Sequence, residues 1–279
     1  MGSIRISDIP DKTIRRLSLP LHNYSTALFR VTGQYPRNLT PLHIGSGSFV
    51  SVGQTNGVLT AQHVADKLGG PCWLGLSAAR EGEEHQMIVD RHSILLTDLG
   101  APLTEEFGPD LSFIALANWH DVTTIKSSRA FLPLETDREM LLNDPPSVDR
   151  GIWFLSGAPE ERLHLDTYPQ RFHKVVTYEN LCLAAGPTIE VANGDFDYFE
   201  LDVDQSETVP SSFAGMSGGG LWRVLVARPN NGDFVPTRYL LTGVVFYQGV
   251  RENGTRFVRC HGRRSVYEKI FTKVLGQYA

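Results

Sequence analysis

From residue 24 onward the apolar positions of this chain fall in short runs, alternating or continuous, each broken by glycine, proline, asparagine or aspartate. The runs at 26–32, 47–52, 57–60, 72–76, 86–89 and 111–116 are too short for helices and predict strands. Gln54-Thr55-Asn56-Gly57 places an Asn-Gly pair between two of them, where a tight hairpin turn needs residues tolerant of positive φ. Between 118 and 150 the periodicity lapses, and Asn143-Asp144-Pro145-Pro146-Ser147 forms the strongest break, so a domain boundary is expected there. The short-strand style then returns at 152–156, 173–178, 181–184, 198–201, 221–227, 239–247 and 255–259. Only at the end do Ser265, Val266, Ile270, Phe271 and Val274 fall at helical spacing, which predicts a helix over 264–275 closed by Gly276. Residues 1–24 mix charged and scattered apolar positions; within them 12–17 fit a short helix or an arm packed on the body. Two runs of about six strands with few helices predict an all-β chain of two barrels or sandwiches.

At 279 residues the chain is long enough to bury a substantial core, and its 41% hydrophobic and 20% charged residues place it in the globular class. A net charge of −5 removes the electrostatic attraction on which most non-specific nucleic-acid binding depends, so no nucleic-acid partner is expected. No apolar run reaches membrane-spanning length, and no membrane partner is expected. Cys72, Cys182 and Cys260 are too few and too scattered for a disulfide framework. With no signal-peptide pattern at the start, this suggests a cytoplasmic protein, unless such a peptide has been removed. Asn23, Asn38 and Asn253 begin glycan-acceptor triplets, a pattern that chance produces readily. Metal and cofactor motifs are missing. There is no His-Glu-x-x-His, no Cys-x-x-Cys, no acidic calcium loop and no Walker lysine, and Gly45-Ser46-Gly47 lacks the third glycine of a dinucleotide site. No metal and no cofactor are implied.

The densest chemical signal is Phe213-Ala214-Gly215-Met216-Ser217-Gly218-Gly219-Gly220-Leu221, a serine among four glycines that leads into an apolar strand. Glycine lets the backbone approach a substrate carbonyl and leaves N–H groups free to meet it. A serine nucleophile also needs a base and a group to orient that base. His63 ends the apolar stretch Gly57-Val58-Leu59-Thr60-Ala61-Gln62, and Asp110 heads the strand Leu111-Ser112-Phe113-Ile114-Ala115-Leu116. Each alone is an ordinary strand-end or turn residue. Their order, histidine then aspartate then serine, is that of the chymotrypsin triad and differs from the orders in subtilisin and the α/β-hydrolases.

On these residues the chain resembles the chymotrypsin/trypsin-like serine proteases. Gly45-Ser46-Gly47-Ser48-Phe49, Thr242-Gly243-Val244-Val245-Phe246-Tyr247 and the terminal helix extend the resemblance over roughly 26–275. It implies two six-stranded antiparallel β-barrels with a C-terminal α-helix: an arm at 1–24, a first barrel at 25–145 bearing His63 and Asp110, and a second at 146–279 bearing Ser217. The implied activity is hydrolysis of peptide bonds in a protein or peptide substrate through an acyl-enzyme. His63 would be the general base, Asp110 its orienting carboxylate, Ser217 the nucleophile, and the N–H groups of Gly215 and Ser217 the oxyanion hole. Ser211 would lie at the floor of the pocket for the substrate side chain, with Phe246, Tyr247 and Gln248 along its wall. No carboxylate stands at that floor, so a neutral or apolar side chain is expected, and Gln248 would make the pocket narrow or polar.

The chain also departs from the family pattern. Met216 stands where secreted members carry an aspartate that receives a newly cut N-terminal amine, so no zymogen switch is expected. Gly220 replaces a proline, and the cysteines flanking the histidine and the serine are absent, as in intracellular bacterial or viral relatives. Two other readings compete. Gly215-Met216-Ser217-Gly218-Gly219 also satisfies the elbow of α/β-hydrolase esterases, with Asp233 and His261 following in that fold's order, although that elbow needs a helix directly after the serine. Alternatively the double barrel is a catalytically silent interaction module, or one whose oxyanion loop stays collapsed until an activating partner protein orders it.

Overall fold

In the computed structural model, which describes residues 9–34, 37–77, 86–100, 104, 106–168, 173–178, 181–185, 188–203, 210–227 and 234–278, the apolar runs pair into two antiparallel sheets. Helix α1 (Asp11–Ser18) precedes them and buries Leu17 in the largest apolar cluster, together with Leu21 just beyond its end. The described part of the arm, from Ile9 onward, is therefore packed on the body, as an amphipathic short helix should be.

The first sheet contains β1 (Ser25–Gln34), β2 (Arg37–Val52), β3 (Thr55–Thr60), β4 (Trp73–Ser77), β5 (Gln86–Asp90), β6 (Ile94–Asp98) and β7 (Ser112–Leu116) in the order β5-β4-β1-β2-β3-β7-β6. The two-residue β8 (Leu132–Pro133) adds to β2 in parallel. A single helical turn, α2 (Gln62–Ala65), follows β3 directly. Helices α3 (Trp119–Lys126) and α4 (Glu135–Asn143) occupy the stretch where strand periodicity lapses. They are hard to see in the sequence because α3 buries only Ile125, and α4 only Leu141 and Asp137, so neither has an apolar stripe.

The second sheet starts at β9 (Ile152–Gly157); the chain then makes a separate hairpin of β10 (Leu163–Tyr168) and β11 (His173–Tyr178). It returns through β12 (Leu181–Ala185), β13 (Thr188–Asn193), β14 (Phe196–Val203), β15 (Gly220–Ala227), β16 (Val235–Val250) and β17 (Arg256–His261), paired in the order β12-β9-β15-β16-β17-β14-β13. After β17 comes a wide π-type turn, Ser265–Ile270, which runs into α5 (Phe271–Tyr278), where Val266, Ile270, Phe271 and Val274 are buried as their spacing predicts.

This is the all-β, two-barrel chymotrypsin-like arrangement, with more strands per sheet than the six expected. The additions not seen in the sequence are β6, β8, β10 and β13. In β6 only Ile94 and Thr97 are buried, and β13 is a sheet-edge strand with no buried residue, so the alternation that marks a half-buried strand is missing. The sheets share the largest apolar cluster. The main cluster joins Val50, Leu59, Leu111 and Phe113 of the first half to Phe154, Trp222, Leu241 and Val244 of the second, with Ile270 and Val274. Loops crossing that junction are thereby held at fixed positions relative to each other.

Candidate active site

Strand β3 delivers its last residues into the core and then has to turn. Ala61 is extended and buried, Val64 and Ala65 of α2 are buried, and His63 is left on the open side of the turn with 42% of its side chain exposed. Asp110 stands two residues before the neighbouring strand β7, directly after Gly108-Pro109. Because β3 and β7 are paired, with Thr60 opposite Ser112, the two side chains meet. One carboxylate oxygen of Asp110 accepts the His63 backbone N–H at 2.9 Å, and the other lies 2.5 Å from His63 Nδ1. An ionised carboxylate only accepts, so the ring carries its proton on Nδ1 and offers the Nε2 lone pair outward. Burial pushes the Asp110 carboxyl up, but the hydrogen bonds from His63 and the favourable electrostatics of that contact together outweigh it and hold the group below the usual carboxylate range.

The serine loop belongs to the second sheet. It folds on itself through Met216 N–H to Phe213 carbonyl (3.0 Å) and Gly219 N–H to Met216 carbonyl (2.8 Å). It is tied to β16 by Gly218 N–H to Val245 carbonyl (2.7 Å) and Val245 N–H to Gly219 carbonyl (2.8 Å). From strand β2 of the first sheet, Ser46 N–H donates to the Ser217 carbonyl at 2.8 Å. Gly218, at φ +88°, lies so close to the Ser46 carbonyl and the Thr60 hydroxyl that a Cβ would run into both, which is a packing reason for glycine there. Gly45 fits between Val64 of α2 and the Ser217 carbonyl with the same lack of room. The backbone of Ser217 and the turn that bears His63 thus both lie against one glycine.

The orientation of the Ala214–Gly215 peptide matters most for chemistry at this serine. Gly215 adopts φ +87°, and the Ala214 carbonyl accepts from Glu160 N–H at 2.8 Å. In a trans peptide the N–H points opposite the C=O, so the Gly215 N–H is turned away from Glu160. Neither the Gly215 nor the Ser217 amide donates to an acceptor among the described residues. On the other side of Gly215, its carbonyl accepts from Ser46 Oγ at 2.7 Å while that hydroxyl accepts from Ala158 N–H at 2.9 Å. Ser46 and Glu160 are therefore loop-holding residues that sequence reasoning did not assign. The Gly-Ser-Gly run around Ser46 was the available signal, and it served only to extend the family resemblance.

Met216 is fully buried with Leu155, Phe199, Leu201, Phe213, Leu221, Val245 and Val258. An apolar plug fills the position where an ion pair was expected to be missing.

The four residues expected at a substrate pocket are differently disposed. Ser211 is exposed, with its N–H 3.1 Å from both carboxylate oxygens of Glu161 and its Oγ 2.5 Å from one of them. Phe246 faces the core, stacked on His261 with centroids 4.4 Å apart. Tyr247 is half-buried, paired across strands with Arg259. Gln248 spans from β16 to the segment before the serine: its Oε1 accepts from Phe213 N–H at 2.9 Å and its Nε2 donates to Ser212 Oγ at 3.4 Å.

The esterase reading fails on this structure. The serine is followed by strand β15, not a helix, and His261 is fully buried within β17 with Nε2 occupied by the Asp110 N–H at 2.9 Å. Asp233, its third member, lies outside the described residues. Among the described residues no cluster of three histidine, cysteine or acidic side chains is placed to hold a metal ion, and no helix is long and apolar enough to cross a membrane.

No family model matches the chain, and no curated protein does. Among solved structures, it is similar to one from work on the coupled folding and binding of the intrinsically disordered Sesbania mosaic virus VPg protein (14% identity, 96% of this chain and 93% of that one, TM-score 0.41). It is also similar to an inactive form of Rv3671c from M. tuberculosis H37Rv (13%, 100% and 98%, TM-score 0.44) and to the tobacco vein mottling virus protease (10%, 92% and 81%, TM-score 0.37). At these values the likenesses assign no chemistry to any residue, and the reading of the site rests on its own geometry.

Proposed function

We propose that the chain is a serine endopeptidase. The observation that carries this reading is the pairing of His63 Nδ1 with Asp110, which leaves a basic Nε2 on the open side of a turn packed against the Ser217 loop. Ser217 Oγ attacks the peptide carbonyl, and His63 Nε2 takes its proton and returns it to the leaving amine. The acyl-enzyme is then hydrolysed by water, with His63 acting as base a second time. The oxyanion of each tetrahedral intermediate is met by the uncommitted amides of Gly215 and Ser217, each of which contributes about 2.7–4 kcal/mol by analogy with single-donor deletions elsewhere.

Treatment of the folded protein with a fluorophosphonate probe, followed by mass mapping, tests this reading. The expected result is one adduct, on Ser217, that is lost in both Ser217→Ala and His63→Ala. A folded wild-type protein that takes up no probe would instead support the silent interaction module.

Gln248 further suggests the substrate class. Its side chain ties β16 to residues 212–213, just ahead in sequence of the amides that would hold the carbonyl oxygen. On this reading the tie narrows the space for the substrate side chain, and a small residue, such as glycine, alanine or serine, is preferred on the acyl side of the bond. In a peptide library, Gln248→Gly should raise cleavage after leucine relative to alanine by about tenfold or more, the scale set by a few methylenes in an apolar pocket. An unchanged preference would mean that Gln248 does not limit the pocket.

A further inference from the structure

The mechanism above makes no use of the fully buried His261. His261 ends β17 in the second sheet, fully buried, stacked on Phe246 at 4.4 Å and flanked by Tyr198 at 5.3 Å and Phe196 at 6.3 Å. Its Nε2 accepts the backbone N–H of Asp110 at 2.9 Å, a bond that crosses from one sheet to the other over 151 positions of sequence. A ring nitrogen that accepts is unprotonated, so the neutral imidazole carries its proton on Nδ1. Among the described residues Nδ1 is buried without a partner. Burial pushes the His261 pKa down to about 4 against the pull of Asp110 and Asp197, so the acceptor lone pair is retained at neutral pH. A phenylalanine would fill an aromatic pocket of this kind without leaving a polar atom unsatisfied, and an unsatisfied buried group calls for a reason.

We propose that His261 is a positioning residue for Asp110: it fixes the backbone of the first sheet's carboxylate to the second sheet, which carries Ser217. The contacts on the two sides of Asp110 are complementary. The carboxylate holds both the ring and the N–H of His63, while the amide is held by His261, so the residue is fixed from side chain and main chain at once. Phe246, two positions ahead of the Gln248 strut and next to Val245 of the loop ties, supports the imidazole from the same strand that anchors the serine loop. His261 touches no reacting atom. Its action is to keep the His63–Asp110 pair in register with Ser217, where a displacement of about 1 Å can cost on the order of a hundredfold in rate.

The inference rests on the peptidase reading for its rate effect but not for its geometry, and the experiment separates the two. In isotopically labelled wild-type protein, a coupling across the hydrogen bond should connect the Asp110 amide to His261 Nε2, and the His63 Nδ1 proton should resonate far downfield. His261→Phe, which keeps the ring and removes the acceptor, should shift or broaden that downfield proton and slow fluorophosphonate labelling of Ser217 by about a hundredfold. His261→Gln, which keeps an acceptor at similar reach, should recover most of both. Absence of the coupling in the wild type overturns the proposal without recourse to any variant. So does a folded His261→Phe with an unchanged downfield proton, or a His261→Gln as impaired as His261→Phe. If the wild type shows the coupling and the downfield proton but takes up no probe, the peptidase reading fails while the positioning contact stands.

Discussion

Replacing Asp110 by asparagine is expected to slow fluorophosphonate labelling of Ser217 by about ten-thousandfold, the scale known for this change in a serine triad, with little effect on the melting temperature. The two carboxylate oxygens have different tasks, and a carboxamide can perform only one. If its oxygen faces the His63 backbone N–H, its NH2 group meets His63 Nδ1, forcing that nitrogen to accept and the proton to move to Nε2, where no lone pair remains for the serine. If it is flipped, two donors face each other at the His63 N–H. The first arrangement keeps every hydrogen bond and is the one expected, because an unmet buried donor costs about 1–3 kcal/mol. The defect is then one of tautomer, not of stability. A labelling rate within tenfold of wild type would show that Asp110 does not set the state of His63.

The largest expected effect on stability is at Met216. Its side chain is fully buried in the cluster formed by Leu155, Phe199, Leu221, Val245 and Val258, and the guanidinium groups nearest that cluster lie over its aromatic rings Trp153, Phe213 and Phe199. Met216→Asp removes the apolar contacts and inserts a carboxylate among apolar side chains. It should destabilise the protein by about 3–5 kcal/mol at pH 7, the range for deleting a large buried side chain, while Met216→Leu should cost less than about 1.5 kcal/mol. The pH dependence has a definite sign. Burial raises the pKa of the new carboxyl above its unfolded value, so the neutral form is favoured in the fold and the penalty shrinks as pH falls through that raised pKa. Denaturant titration at pH 7 and pH 5 measures both. The same variant should lose labelling, because residues 213–219 are held in part by this plug. If Met216→Asp proves as stable as wild type, the loop is held by something other than apolar burial.

Much of the architecture was legible because most buried strands expose one face or none, which prints short apolar runs between turn residues. The runs that became β3, β7, β9 and β15 lie in the sheets' interiors, and the terminal helix presents a stripe. Of the strands that escaped notice, β6 and β13 bury little apolar surface, and α3 and α4 bury only Ile125 and Asp137 with Leu141 respectively. The candidate site was legible in a different way. His63, Asp110 and Ser217 are each marked by the local chain: a strand end, a strand head, a cluster of glycines.

By itself, then, the sequence determined the fold class, the strand-rich halves and the identity and order of three chemically capable side chains, because these depend on period, turn chemistry and neighbours within a few residues. Only the tertiary structure decided how the serine loop is held and what stands behind the aspartate. Ser46 reaches Gly215 across 169 positions, His261 reaches Asp110 across 151, and Gln248 turns back onto Phe213 across 35. A buried hydroxyl or imidazole has no sequence signature of its partner, since hydrogen bonds between sheets are selected by where two separately folded surfaces come to rest.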